Sequence, residues 1–386
     1  MIAVVTNCNE YGLLLVRVVA AVMYPSFSVM AVECGPMYFH LRVLHGFSPI
    51  FKVFIGALRK TKHMEMRRVQ KTSDGTYFVT LPKSWVTLHG LDRGALLTFA
   101  EGKDGKLTVG MYGDNDRILK PVTLSPGPTL EREIEEKYLL GYDIIQVESA
   151  DVMDSHVRDN VKTILKKLVG LEIVEEDAHR IVIQCLIEPS LLAPEKIIRR
   201  LHLITRAMQQ DAIAAFVNCD TKLATTVVER DEEVDRLYFL LVRMVRAALT
   251  DLSTAEKVHA SPVDCLDYRI LSSFIEHFGD YSALIAVNVP RNRGKLLASL
   301  SRAVQKSGDA VNSMYGHSVE AVLSRDLKLA SDVGRMRPGA IENIREAERV
   351  LVGLGPELLD KATSAISSLK SMCEINVDIA DLAMTR

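Results

Sequence analysis

Much that would mark a catalyst, a secreted protein or a membrane protein is missing from this chain. Its six cysteines (Cys8, Cys34, Cys185, Cys219, Cys265, Cys373) form no C-x-x-C pair and no zinc-ligand spacing. They read as reduced thiols of a cytoplasmic protein, most of them small core residues. The net charge of −2 gives no global pull toward nucleic acid or membrane, so any such binding must come from a local patch. The apolar run Tyr11–Met30 is broken by Arg17 and Pro25, which argues against a span needing about 20 apolar residues. No positive charge follows Met1 before that run, so a signal peptide fits poorly. Residues 113–192 hold no Gly-rich phosphate loop, nucleophile elbow or catalytic triad.

What is present divides into five stretches, within a length of 386 residues that has room for two or three domains. Residues 1–63 carry only two acids, Glu10 and Glu33, and no clear period. They are read as a poorly ordered, non-native extension ahead of a natural start at Met64 or Met66; the rival reading is a weak membrane-surface anchor. Residues 64–112 predict short strands at 66–72 and 76–81, a helical turn at 83–88 ended by Gly90, and a closing hairpin over 96–100 and 107–111. So small a unit buries too little surface to stand alone and calls for a second copy. Trp85, the single tryptophan, is read as a core anchor.

Residues 113–192 predict an α/β connector: a hinge at Pro121 and Pro126–Pro128, helices at 130–141 and 154–168, and two or three strands within 142–187. From Ala193 the pattern is helical. Bundle one (193–290) has helices over 193–217, 221–252 and 262–289, with 253–261 as a loop. Bundle two (291–386) repeats the plan at 295–314, at 318–354 interrupted near Pro338, and at 357–384. The fold class is therefore multidomain α+β: a small β domain, a short α/β connector and all-α tandem three-helix bundles.

The candidate chemistry lies on the helix from Thr221. Its inward stripe runs Val227, Asp231, Val234/Asp235, Tyr238, Leu241, so two carboxylates four residues apart face a core. About 45 residues on, Glu276 and Asp280 repeat the spacing beside Phe274, Phe278 and Ile285. Burying unpaired carboxylates costs several kcal/mol, so something positive must compensate: a Lys or Arg, a proton, or a metal ion. Four carboxylates in a bundle suit iron, manganese or magnesium, and zinc less well. The alternative is neutralisation by neighbouring Arg236, Arg243 or Arg269. His277, adjacent to Glu276 in sequence, is placed about 100° away from it, which counts against a di-iron enzyme with histidine ligands. In bundle two, pairing Ile285-Ala286 with Ile379-Ala380 sets Glu374 against Asp280 and Lys370 against Glu276. A second site at Asp326, Glu374 and Asp378 is then degenerate, with a buried Lys370 as charge substitute.

Two resemblances follow from these residues. The D-x-x-x-D helix with Glu276-His-Phe-Gly-Asp280-Tyr-Ser-Ala-Leu-Ile-Ala286 resembles the PhoU family, with His277 where that family often has Arg. Arg67-Arg-Val-Gln-Lys-Thr72, Leu81-Pro-Lys-Ser-Trp85 and Gly90-Leu-x-x-Gly94 are similar to the SpoVT–AbrB family of swapped hairpins. The first implies tandem three-helix bundles carrying metal clusters (iron foremost) and a non-enzymatic, negative regulator of phosphate uptake. The second implies a homodimer whose basic face, mapping onto Arg67, Arg68, Lys71 and Lys83, contacts promoter DNA. Together they resemble archaeal-type phosphate uptake regulators. Partners implied are a second copy, promoter DNA, and the phosphate transporter's ATPase or a sensor kinase, with no stable membrane insertion. The other readings are a carboxylate-bridged metalloenzyme and a structural dimer without DNA contact.

Overall fold

The computed structural model describes residues 66–101, 105–111, 119–188, 192–250, 252–290 and 296–384, together with four strands before them. The rest of the expected 1–63 extension lies outside the described residues. Those strands, β1 (Ile2–Val5), β2 (Leu13–Val19), β3 (Ala31–Cys34) and β4 (Phe39–His40), pair in order as an antiparallel meander. The chain divides into two units, 1–112 and 113–386.

Within the first unit the elements follow the expected order. β5 (Gln70–Lys71) pairs with β6 (Tyr77–Phe78) across a turn at Gly75, which takes φ +94°. Helix α1 (Lys83–Leu88) comes next, then the hairpin of β7 (Leu97–Glu101) and β8 (Leu107–Met111). Over 66–111 none of the described side chains is fully buried. Trp85 is half-buried, its ring 4.9 Å from that of His89.

The second unit opens with a four-stranded sheet in the order β11-β12-β10-β9. Here β9 is Pro121–Leu124, β10 Ile144–Glu148, β11 Leu171–Glu176 and β12 Arg180–Cys185. Pro121 does not mark a hinge, as the sequence suggested. It begins an edge strand parallel to β10, a place where a missing N–H is tolerated. Helices α2 (Leu130–Leu139) and α3 (Ser155–Lys167) pack their apolar stripes, including Ile134, Tyr138, Val161 and Ile164, against it. Asp154 caps α3 by accepting from the backbone N–H of His156.

Bundle one consists of α4 (Pro194–Asn218), α5 (Thr221–Thr250) and α7 (Pro262–Val287). The predicted loop at 253–261 is instead largely the short helix α6 (Leu252–Val258). Bundle two consists of α8 (Ala298–Ser324), α9 (Leu327–Arg349) and α10 (Pro356–Met384). Here the predicted break near Met314 is wrong, and Pro338 lies inside α9. The chain turns at Arg325, which takes the left-handed φ of +56°, and Asp326 caps α9 by accepting from the N–H groups of Lys328 and Leu329. Bundle one turns identically: Cys219 has φ +54°, and Asp220 accepts from Lys222 and Leu223. The bundles share one core, in which Phe278 of α7 stacks on Tyr315 of α8 at 3.7 Å and the Tyr315 hydroxyl lies 2.7 Å from that of Thr205 on α4.

Arg243 ties bundle one to the sheet layer. Only 1% exposed, it donates to the carbonyls of Tyr138 and Tyr142 and to Asp143 Oδ1 at 2.8 Å, and Asp143 also accepts from the N–H of Lys120.

Candidate metal centre

Helices α5 and α7 pack against one another, and the charges of Asp231, Asp235, Glu276 and Asp280 act on one another, but among the described residues the ligand atoms that converge are those of Glu276, His277 and Asp280, without Asp231 or Asp235. Each carboxyl is pushed above the ordinary carboxylate range. Asp231 reaches about 7, chiefly by desolvation and then through Asp280 and Asp235. Glu276 also reaches about 7, by desolvation and then through Asp280, Asp235 and Asp231. Desolvation raises Asp235 and Asp280 as well; Asp280 adds to the former, and His277 partly offsets the latter.

Two of the three predicted neutralising arginines are engaged elsewhere. Arg243 is committed to Asp143, and Arg269 lies over the Tyr238 ring at 5.2 Å, acting on Glu276 only as the weakest of its neighbours. Among the described residues no Lys or Arg forms an ion pair with any of the four carboxylates. Asp231 Oδ1 is buried and has no hydrogen-bond partner. An orphaned anionic oxygen among three more carboxyls fits a hard cation better than it fits a closed protein network.

His277 corrects the sequence reading. Its ring does not turn away from Glu276: Nε2 is 3.5 Å from Glu276 Oε2, and ligand atoms of Glu276, His277 and Asp280 all lie within 4.8 Å of one another. The signal was the i, i+3 spacing of His277 and Asp280, which stacks them on successive turns. Gly279 matters for a different reason, since it has no side chain where the helices meet. A Cβ there would come 3.2 Å from Thr205 Cγ2 and 3.4 Å from Val234 Cγ1, with Asp231 Oδ1 at 3.7 Å. The sequence also carries an E-x-x-H, Glu256–His259, but His259 is a helix-ending residue with φ +54°.

Bundle two does not assemble the second site. Asp326 is the counterpart of Asp220, a helix cap, and lies at the wrong end of its helix for a cluster. Lys370 is exposed, so it is no buried charge substitute. The acid there is instead paired at the surface by Arg337, itself exposed, whose Nε and terminal nitrogen hold Glu374 at 3.1 and 2.8 Å. The buried residues Ala224, Val227, Val234 and Leu241 of α5 have the spacing of Ala330, Val333, Ala340 and Ala347 of α9. In that register Arg337 stands where bundle one has Asp231. Asp378 is exposed, its carboxyl raised by partial desolvation and then by Asp381 and Glu374.

Residues 198–289 match the PhoU domain family. The matched segment spans bundle one and contains all four carboxylates and His277. No curated protein sequence matches the chain. Among solved structures the chain is similar to PhoU from Pseudomonas aeruginosa, at 17% identity and a TM-score of 0.45, covering 50% of this chain and 95% of that one. It is also similar to the phosphate transport system regulatory protein PhoU from Streptococcus pneumoniae, at 15% identity and a TM-score of 0.43, covering 50% and 91%. Among the described residues no helix is long and apolar enough to cross a membrane.

Proposed function

We propose that this chain is a regulator of phosphate uptake that holds a metal ion on its PhoU-like bundle and acts as a homodimer through residues 64–112, without catalysing a reaction. The observation that carries the metal reading is Asp231 Oδ1, buried and unpartnered among three further raised carboxyls. Asp231, Asp235, Glu276 and Asp280 would hold the ion, with His277 as a nitrogen ligand beside them. That donor set suits iron or manganese foremost, with magnesium and zinc as lesser candidates. Metal analysis of the purified full chain beside an Asp231→Ala/Asp235→Ala variant tests this. Loss of bound metal and of thermal stability together supports it, and an unchanged metal content overturns it.

For the dimer, the support is that no described side chain of 66–111 is fully buried and that Tyr77, Phe78, Leu88, Leu96, Phe99 and Leu107 are exposed. A second copy interleaving its hairpins would cover them. Arg67, Arg68, Lys71 and Lys83 are all exposed and would form the DNA-contacting face. A DNA affinity that falls with salt and vanishes in an Arg67→Ala/Arg68→Ala variant supports a reader of promoters. No shift with any promoter fragment leaves the module a dimeriser, with docking on a transporter ATPase or sensor kinase as the output. A carboxylate-bridged metalloenzyme is the second reading, favoured by the single observation that His277 joins the acids; oxygen-dependent turnover by the iron-loaded chain would establish it.

A further inference from the structure

Away from the carboxylates, between α4 and the second half of α8, lies a groove of about 500 Å³. Its walls carry Arg199, His202, Arg206, Ser313, His317 and Glu320. The volume falls in the range of small-molecule sites, and the lining is rich in arginine and histidine, with Glu320 its one acid.

Arg206 is the residue with capacity to spare. Its Nε donates to Asn312 Oδ1 at 3.0 Å, and Asn312 is in turn held by Gln209 at 2.7 Å, so the guanidinium plane is fixed. Its terminal nitrogens lie over the bare backbone of Gly316, where a Cβ would be only 3.4 Å from Cζ. They have no hydrogen-bond partner among the described residues. Arg199, by contrast, is spent on Glu195 at 2.9 Å and Glu320 at 3.4 Å. On the same walls, Nδ1 of His202 and Nδ1 of His317 are each buried without a partner. The His202 ring is kept neutral first by burial and then by Arg206 and Arg199, a sign that positive potential reaches it. A fixed guanidinium fork with two open donors matches the bidentate geometry of a phosphate oxyanion.

We propose that this groove binds a phosphate dianion, gripped by the Arg206 fork with Ser313 and His317 beside it, while Leu203 and Leu323 flank whatever the phosphate is attached to. The dianion has two sources, free phosphate or the phosphate of a small metabolite such as a nucleotide. The groove shares no residue with the carboxylate cluster, so failure here leaves the metal reading intact, and the reverse.

The test is calorimetric titration of the full chain with AMP, with orthophosphate and with adenosine. AMP or orthophosphate should bind and adenosine should not; binding by both anions points to free phosphate as the source, and binding by AMP alone to a metabolite. Arg206→Met, which keeps the packing and removes the fork, should weaken binding by about 10-fold to 100-fold with an unchanged circular dichroism spectrum. Glu320→Gln, which removes an acid from the groove wall and one of the two carboxylates that hold Arg199, should tighten binding several-fold, a gain that no misfolded variant would give. Absence of binding by either anion at millimolar concentration overturns the proposal, as does equal binding by adenosine or an unaltered affinity in well-folded Arg206→Met. Should that variant not fold, an affinity unchanged or weakened in Glu320→Gln overturns it.

Discussion

The sharpest consequence of the carboxylate cluster is that one substitution should change stability in opposite directions with and without metal. In the metal-free chain the Asp231 carboxyl is lifted from 3.8 to about 7. Its folded pKa lies above the unfolded one, so the folded state binds more protons between those values and loses stability as pH rises through about 7. A shift of roughly three units is worth about 4 kcal/mol at full weight. Because Asp231 is only half-buried, solvent screening reduces this to about 1–2 kcal/mol. Asp231→Asn removes the penalty, so the metal-free variant should melt about 2–6 °C above the parent at pH 8 and level with it near pH 4. With metal at a hundredfold excess over its Kd the parent should gain about 2.7 kcal/mol, a gain that the variant should largely lose. Comparing variant with parent at each pH also cancels His202. That residue's pKa is lowered to about 4, so its contribution has the opposite sign: it is present above the unfolded value of 6.5 and lost as pH falls toward 4. Thermal melts of both chains at pH 4, 6 and 8, with chelator and with iron, manganese, magnesium or zinc, read the result. A metal-free Asp231→Asn that melts below the parent at pH 8 would refute the reasoning, because it would mean that the ionised carboxylate already had a partner.

Other outcomes follow from single contacts. Arg243→Ala leaves Asp143 charged and 2% exposed in the core, so it should cost about 3–5 kcal/mol in denaturant unfolding, whereas Arg243→Met with Asp143→Asn should cost clearly less. Tyr315→Phe keeps the stack on Phe278 and loses only the contact with the Thr205 hydroxyl; about 1 kcal/mol is expected, against about 3–5 kcal/mol for Tyr315→Ala. Arg337→Asp should raise the metal bound per chain by restoring an acid opposite Glu374. Arg337→Met should leave metal content unchanged and stability within about 1 kcal/mol, since that ion pair is nearly half-exposed on both sides.

How much was legible beforehand depended on period. Helices with long apolar stripes, such as α4, α5 and α7, and the four acids on them could be read from residue spacing, because burial at period 3.6 leaves a pattern that packing does not overwrite. His277 was misplaced because an angle about the helix axis says where a side chain leaves the backbone; it does not say how far a long imidazole arm can swing back. Pro121 and Pro338 were read as breakers from residue type alone, yet an edge strand and a helix exposed on one side each tolerate a missing N–H.

The repeat was legible too, but only from signals that carry backbone geometry. Pairing the ends of the third helices fixed α7 against α10 correctly, yet it offered no register for α5 against α9. That register is written in D-x-K-L, at Asp220-Thr-Lys-Leu223 and Asp326-Leu-Lys-Leu329, where each Asp caps a helix after a left-handed residue. Aligned on the caps, Asp231 falls on Arg337, while the pairing of the third helices sets Asp280 on Glu374. One copy of the repeat thus places an acid against an acid, and the other places a guanidinium against an acid. A bundle that supplies its own cation at that position has no electrostatic need of a bound one. The asymmetry between the copies is what the proposed metal at bundle one would account for, since there acids from both helices stand near one another with no guanidinium between them.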